Sequence, residues 1–338
     1  MRDKKWEAIT DRGVTIYKIA EELGVSPSTV SRALNNTGRM SQELREKIVE
    51  LAKKYNYIPN EMGRGLRTRS SMLLGLMVPD IANPYYVNVA RGAQDEADKY
   101  EYSIAICNTD NNVDLEKKRI ITLVRKRVDG LLVFNFFNNK DTLELLSSFT
   151  IPIVLFNPPP PGYSFVHIKH DTSVISSLLT YLSDKGYTSI AHIAGDQRTI
   201  VGRLCLKYFI HFMRSHNLPL REEWIIESDF TQKGGYEAMK TLLTLEEKPR
   251  AVWAANDLMA IGAMEAIKES DLSIPEDIAV AGYDDIEYAS IVTPKLTTVY
   301  KPKYELGSIA TGLLINLIKG ERVETVSLKD KLIIRESA

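Results

Sequence analysis

Cysteine is nearly missing from this chain. Two occur in 338 residues, Cys107 and Cys205, far apart and in no C-x-x-C pair. That excludes a disulfide scaffold and a thiolate zinc site, and it fits a reducing compartment. Long apolar runs are missing too. None approaches the ~18 residues of a membrane span, so no membrane partner is expected. Residues 1–13 carry charge and a lone Trp6 but no apolar stretch of the kind a secretory signal needs. A cytoplasmic protein is therefore expected. The phosphate-cradling G-x-x-x-x-G-K-[ST], the dinucleotide G-x-G-x-x-G, the nucleophile elbow G-x-S-x-G and the zinc motif H-E-x-x-H are all absent. No cofactor and no enzymatic activity are expected. Of five histidines, His167 and His170 lie close together, but strand alternation sends them to opposite faces, so no metal site is expected.

What is present is ordinary in bulk and uneven in detail. Hydrophobic residues make up 44% and charged residues 26%, enough for large cores, and the length calls for two or three domains. The net charge of −1 hides a division. Residues 1–70 hold 14 Lys and Arg against 9 Asp and Glu, whereas the remainder holds 29 against 35. A basic head on an acidic body suits a head that meets a polyanion.

The head is helical. Thr15 is placed to cap a first helix whose apolar positions Ile16, Ile19, Ala20 and Leu23 recur at helical spacing, and Gly24 stops it. Val25 packs in the turn. Ser26 caps a second helix with Pro27 at its first position, where a missing N–H costs nothing, and Val30, Ala33 and Leu34 form its buried face. Ser41 caps a third helix, with Leu44, Ile48, Leu51, Ala52 and Tyr55 inward. Two short helices joined through Gly24-Val25 read as a helix-turn-helix. The exposed face of the second carries Ser28, Thr29, Ser31 and Arg32, small hydroxyls and one guanidinium able to approach base edges and phosphates. A merely solvated face of a helical domain is the other reading of that pattern.

From Met72 the texture changes to apolar strands alternating with amphipathic helices, the mark of βαβ units and a parallel sheet. Strands are predicted at 73–78, 103–107, 130–134 and 153–156, and after the proline run Pro158–Pro161 at 189–194, 224–227, 251–254 and 278–282. Helices are predicted at 86–100, 115–127, 173–185 and 258–270. Four strands in each of two similar blocks predict two α/β lobes.

Read whole, the segment VTIYKIAEELGVSPSTVSRALNNTGRMSQELREKIVELAKKYNYIPN resembles the DNA-binding head of the LacI–GalR (lactose-repressor) family. The resemblance continues through LGLMVPDIANPYY, KRVDGLLVF, DKGYTSIAHIAG, AANDLMAIGAMEAI, IPEDIAVAGYDDIEYASIVTPKLTTV and the closing LIIRES, so it spans about residues 14–336. It implies an α/β fold: a three-helix helix-turn-helix head, a hinge helix, and a two-lobed core of parallel sheets like a periplasmic binding protein. The implied divisions are a tail (1–13), a DNA-binding domain (14–59), a hinge and linker (60–71) and an effector-binding and dimerisation core (72–338). The lobes should divide near 158–172, with chain crossovers near 298–303 and 320–327.

By matching positions, Pro27, Ser28 and Arg32 would read bases, and Thr15, Ser26, Thr29, Ser31, Asn35 and Arg39 would contact phosphates or neighbouring bases. Pro27 stands where a larger polar or aromatic residue is frequent; it offers a thymine methyl an apolar contact and no hydrogen bond. Asn60 to Leu66 matches the hinge helix, and Leu66 the leucine pushed into the minor groove. Gly63 and Gly65 weaken that helix by about 1 kcal/mol each relative to Ala, which suits a hinge that folds only on DNA. In the core, Asp80, Tyr85, Tyr86, Phe230 and Asp257 match effector-contacting positions. Rings and carboxylates suit a sugar or a base, although lobe packing also explains the tyrosines and N-capping also explains Asp257.

One position departs from the family. The arginine that usually grips the effector, two residues after Arg203, is replaced here by Cys205, and Tyr208 stands in a neighbouring segment that lacks the usual glycine. The resemblance implies a homodimeric repressor on a near-palindromic double-stranded operator, released or engaged by a small-molecule effector. The chain ends soon after its last strand without a heptad helix, so dimers rather than tetramers are expected. The rival readings are the same fold governed by a protein or a phosphorylated metabolite, and a solute-binding protein.

Overall fold

A computed structural model describes residues 15–57, 70–135 and 137–338. The hinge residues Asn60 and Leu66 lie outside them. The chain separates into two compact units, 1–71 and 72–338.

In the first unit three helices follow the capping logic of the sequence: α1 (Ile16–Glu22), α2 (Pro27–Leu34) and α3 (Gln42–Lys54). The Ser26 hydroxyl accepts from Thr29 N at 3.1 Å, and that of Ser41 from Leu44 N at 3.3 Å. Thr15 departs from expectation: it holds the N-cap position of α1, yet its side chain makes no capping bond and is exposed. Gly24 follows α1 with φ +61°, a left-handed turn that a β-carbon would strain. Ile19, Val30 and Ile48, one from each helix, are fully buried together. Each contributes roughly 1.5–3 kcal/mol of burial, which is how three short helices hold without long-range help.

The second unit holds two parallel sheets. The first runs in the order β11-β5-β4-β3-β1-β2, from β1 (Leu73–Val78), β2 (Ser103–Asn108), β3 (Gly130–Val133), β4 (Ile153–Leu155), β5 (Val166–His170) and β11 (Val326–Leu328). Leu74 faces Ile104 on one side and Gly130 on the other, fixing the register. Helices α4 (Pro84–Asp98), α5 (Val113–Arg125), α6 (Lys140–Ser147) and α11 (Lys303–Ile318) belong to this lobe, with α11 packed along α4. The second sheet runs β7-β6-β8-β9, from β6 (Ile190–Ala194), β7 (Ile225–Glu227), β8 (Ala251–Ala254) and β9 (Ala279–Ala281). Helices α7 (Ser173–Asp184), α8 (Ile200–Ser215), α9 (Gln232–Leu243) and α10 (Asp257–Lys268) cover it.

Inside that second lobe His192 is fully buried and stacked on Trp253 and Phe209, with ring centroids 4.3 and 5.0 Å away. Burial pushes its pKa down to about 4, against the backbone bond to Trp253 O.

Three stretches link the lobes. β5 leads into α7 through Asp171 and Thr172, β10 (Thr298–Tyr300) leads into α11, and β11 leads into β12 (Lys331–Ile333), which pairs antiparallel with β10. The last passage falls at 329–330, beyond the 320–327 expected, because Val326–Leu328 still pairs with β5 in the first sheet. The strand predicted at 224–227 begins one residue later, since Trp224 closes a 3-10 turn. Strands β10, β11 and β12, three residues each, were not predicted as strands. They are too short for alternation to show.

Candidate nucleic-acid interface and effector cleft

On α2 the helix start gathers hydroxyls. Ser26 Oγ lies 2.7 Å from Ser28 Oγ and 2.9 Å from Thr29 Oγ1, at the positive end of the helix. Such an N-terminus suits a phosphate or a base edge. Arg32 is exposed, with its stem over Gly38, where an added β-carbon would come within 3.0 Å of Arg32 Cδ. Asn35 spends its amide on its own helix, donating to Ser31 O at 2.7 Å. Thr15 and Arg39 are exposed, while Pro27, Thr29 and Ser31 are half-buried. All nine described head residues therefore sit within α2, just before α1 or just past α2. The sequence reading passed over Tyr17, 70% exposed on α1, whose phenol is also free to meet a backbone phosphate.

In the core, the carboxyl ends of the strands of both sheets converge on one cleft, the usual place for a ligand in open α/β sheets. Its empty space is about 660 Å³ including the open mouth. Asp80, Tyr85, Tyr86 and Phe230 line it, so four of the five expected effector residues come together. Tyr85, Tyr86 and Phe134 form an edge-to-face cluster with centroid separations of 5.0–6.5 Å, and Phe134 stacks on Phe156 at 3.9 Å. Phe230 has φ +66° and sets the tip of its ring against Gly195, where a β-carbon would come within 2.0 Å of Cζ. Asn256 holds that geometry. Its amide donates to Phe230 O at 2.9 Å while its oxygen caps α10 at Met259 N.

Asp257 is the correction. It is fully buried and does not line the cleft. One oxygen accepts from Thr298 Oγ1 at 2.5 Å and the other from Ile286 N at 2.8 Å. Burial raises its pKa to about 6. It is not the N-cap either, since Asn256 is. Asp257 lies under the cleft and ties the loop after β9 to β10. Gly282 makes room for it, as a β-carbon there would meet its carboxylate at 2.2 Å.

Sequence reasoning missed the groups that give the cleft its charge and polarity. Lys301, Asp284, His170, Asn111 and Asn256 all line it. Each ends or follows a strand, but no local pattern marks such a position. The Lys301 ammonium lies over the rings of Tyr85 and Tyr283, 5.4 and 5.1 Å from their centroids. Burial raises Asp284 to about 7, although Lys301 pulls it down. Burial lowers His170 to about 3, and its Nδ1 has no hydrogen-bond partner. His167 instead sets its Nδ1 against Phe165 O, and among the described residues no three metal-ligating side chains cluster.

Cys205 is buried in the second lobe outside the cleft lining, and burial pushes its thiol up to about 12. Arg203 does not replace the missing family arginine. It is exposed and donates to Gln197 O and Arg198 O. Tyr208 pairs its hydroxyl with Thr172, at the first passage between lobes.

Comparison with known proteins finds relatives of both units. Residues 15–60 match the family described as bacterial regulatory proteins, lacI family, and residues 179–338 match a periplasmic binding protein-like domain. The chain is 33% identical over 328 residues to the HTH-type transcriptional repressor PurR of Pasteurella multocida, covering 96% of this chain and 98% of that one. It is 35% identical over 306 residues to the ribose operon repressor of Escherichia coli, covering 90% and 93%. Among solved structures, a lac repressor dimer bound to operator and the anti-inducer ONPF superposes with a TM-score of 0.87 at 27% identity, covering 96% and 99%. A complex of the transcriptional regulator CelR with cellobiose gives 0.72 at 27% identity, covering 96% and 100%. Among the described residues no helix is long and apolar enough to cross a membrane. With a head built to meet DNA, a cleft built to enclose a small molecule and relatives aligned from end to end, the chain belongs to the lacI family of bacterial regulatory proteins: it is a ligand-controlled transcriptional repressor, not an enzyme.

Proposed function

We propose that this repressor works in the cytoplasm as a homodimer on a near-palindromic operator, with α2 in the major groove and the segment from Asn60 to Leu66 reaching the minor groove. Two-fold related heads call for two-fold related half-sites. The observation that carries the reading of the head is the exposed Ser28–Arg32 face beside the hydroxyl cluster at the start of α2. Self-association is supported by Ile81, Val87 and Ile106, which are 50%, 53% and 43% exposed on the first lobe, with Ile81 N bonded to Asn108 beside the end of β2.

The effector sits in the cleft between the strand ends, against Tyr85, Tyr86 and Phe230, with hydroxyl groups offered to Asp80. The ribose operon repressor and the cellobiose complex among the relatives support a hydroxylated ligand. A gel-shift assay with DNA flanking the protein's own gene tests this function. A retarded complex at nanomolar protein, competed by unlabelled copies of the same fragment but not by random DNA, is expected. Equal retention of both DNAs would remove the sequence-specific reading.

A further inference from the structure

Among the described residues that line the cleft, Lys301 is the one lysine or arginine. It is 8% exposed, yet its ammonium has no hydrogen bond and no carboxylate within 4.0 Å among the described residues. The faces of Tyr85 and Tyr283 lie against it, and the carboxylates of Asp284 and Asp330 act on it from beyond 4.0 Å. An ammonium has three donors and no acceptor, and a buried unpaired charge is expensive. Burial works to discharge it, but Tyr283, Asp284 and Asp330 outweigh that and hold its pKa above the ordinary lysine value. A charged donor at the wall of a ligand cleft, with no hydrogen bond or ion pair of its own, is complementary to an anion.

Other groups restrict which anion. Asp80, Asp229 and Asp284 share the lining, so a second negative charge would meet carboxylates rather than cations. That disfavours a dianionic phosphate and favours a single carboxylate. Asp80 and Asp229 have one oxygen each turned to their own turns, at Ala82 N and Thr231 N, which leaves the other as an acceptor. Asn111 Oδ1 and His170 Nδ1 are buried acceptors with no partner in the same wall. Four acceptors want donors, and a polyol has them. Cys205, at the position where the resemblance places an effector-gripping arginine, cannot supply positive charge, whereas Lys301 brings one in from the end of β10. We infer that the effector is a polyhydroxylated carboxylate, a sugar acid, with its carboxylate on Lys301 and its hydroxyls on Asp80, Asn111 and Asp229. This rests on the cleft being the effector site.

The test is isothermal titration of the full-length protein with gluconate, glucuronate and galacturonate, beside glucose, galactose and glucose 6-phosphate. At least one acid should bind ten times or more tighter than the neutral sugars and than the phosphate. Lys301→Gln should weaken that acid at least tenfold without lowering the melting temperature by more than a few degrees, and Lys301→Arg should recover most of the loss. Failure of all three acids to bind, a neutral sugar or the phosphate binding more tightly, or equal affinity in Lys301→Gln would overturn the sugar-acid assignment. Asn111→Ala separates that failure from failure of the cleft. If glucose, galactose or glucose 6-phosphate binds and Asn111→Ala weakens it, the cleft stands and only the ligand class is wrong. If an acid binds and neither Asn111→Ala nor Lys301→Gln affects it, the acid lies elsewhere and both readings fall.

Discussion

The two recognition surfaces of this protein are built on opposite terms. The α2 face is local: its side chains come from one stretch of sequence, stand at the surface and bond to their own helix, as Ser26 does to Thr29 and Asn35 to Ser31. The cleft is assembled from strand ends as much as 222 residues apart, Pro79 to Lys301, and its polar groups are enclosed, with charges and acceptors left unpaired. DNA supplies a high density of phosphates, so an exposed set of small donors suffices. A small ligand offers few atoms, so the cleft must hold strong, desolvated groups ready in place. The difference predicts that substitutions of the buried groups beneath the cleft will change stability and response together, and that those in the head will change DNA affinity alone.

The largest effect should come from Asp257→Ala. It orphans the buried Ile286 N–H and Thr298 hydroxyl and opens a cavity, costing about 3–5 kcal/mol of core stability. Calorimetry should show the core transition falling by many degrees, with the effector response lost as a consequence. An unchanged melting temperature with a lost response would return Asp257 to the cleft.

Glu116→Gln should act next, and with a pH signature. Glu116 is 4% exposed on α5, and burial raises its pKa to about 7, against an opposing pull from Lys117. A carboxyl with a raised folded pKa stabilises fully below its unfolded value near 4.5 and loses that contribution as pH rises through 7. The amide should therefore stabilise the core by up to about 3 kcal/mol at pH 8 and by nothing at pH 4. Urea unfolding at the two pH values checks it, and a gain independent of pH would contradict it.

Arg32→Ala should cost roughly 1–3 kcal/mol of operator affinity, more on operator than on random DNA, and leave core melting alone. Equal losses on both DNAs would make Arg32 a phosphate contact. The smallest effect belongs to Cys205→Ala. The thiol lies outside the cleft lining, so effector affinity should change less than tenfold, below about 1.4 kcal/mol. A complete loss of response in that variant would mean that the second lobe's packing governs the cleft.

Much of this was readable in advance, for identifiable reasons. Ser26-Pro27 and Ser41 announce helix starts because capping acts over three residues, and Ile19, Val30 and Ile48 announce a core because a helix repeats every 3.6. The strands of the central parallel sheets, such as Leu73–Val78, announce themselves by unbroken apolarity. Thr15 shows the limit even of local rules, holding a capping position without the capping bond.

What the sequence by itself determined is therefore whatever short-range physics encodes: the helix-turn-helix with its exposed Ser28 and Arg32, the alternation that makes two α/β lobes, and the aromatic pair Tyr85-Tyr86 after the first strand. Tertiary structure alone decided which polar groups face the cleft. Asn256 and Asp257 are adjacent in sequence and the sequence singled out Asp257, yet Asn256 lines the cleft and Asp257 is spent beneath it on Thr298 and Ile286. Lys301 has no local pattern to mark it. Its meaning depends on Tyr283, eighteen residues earlier, and Tyr85, more than two hundred residues earlier, closing over it, and on no carboxylate coming within 4.0 Å to pair. A side chain's charge is written in the sequence, but whether that charge is paired depends on neighbours that only the folded chain brings to it.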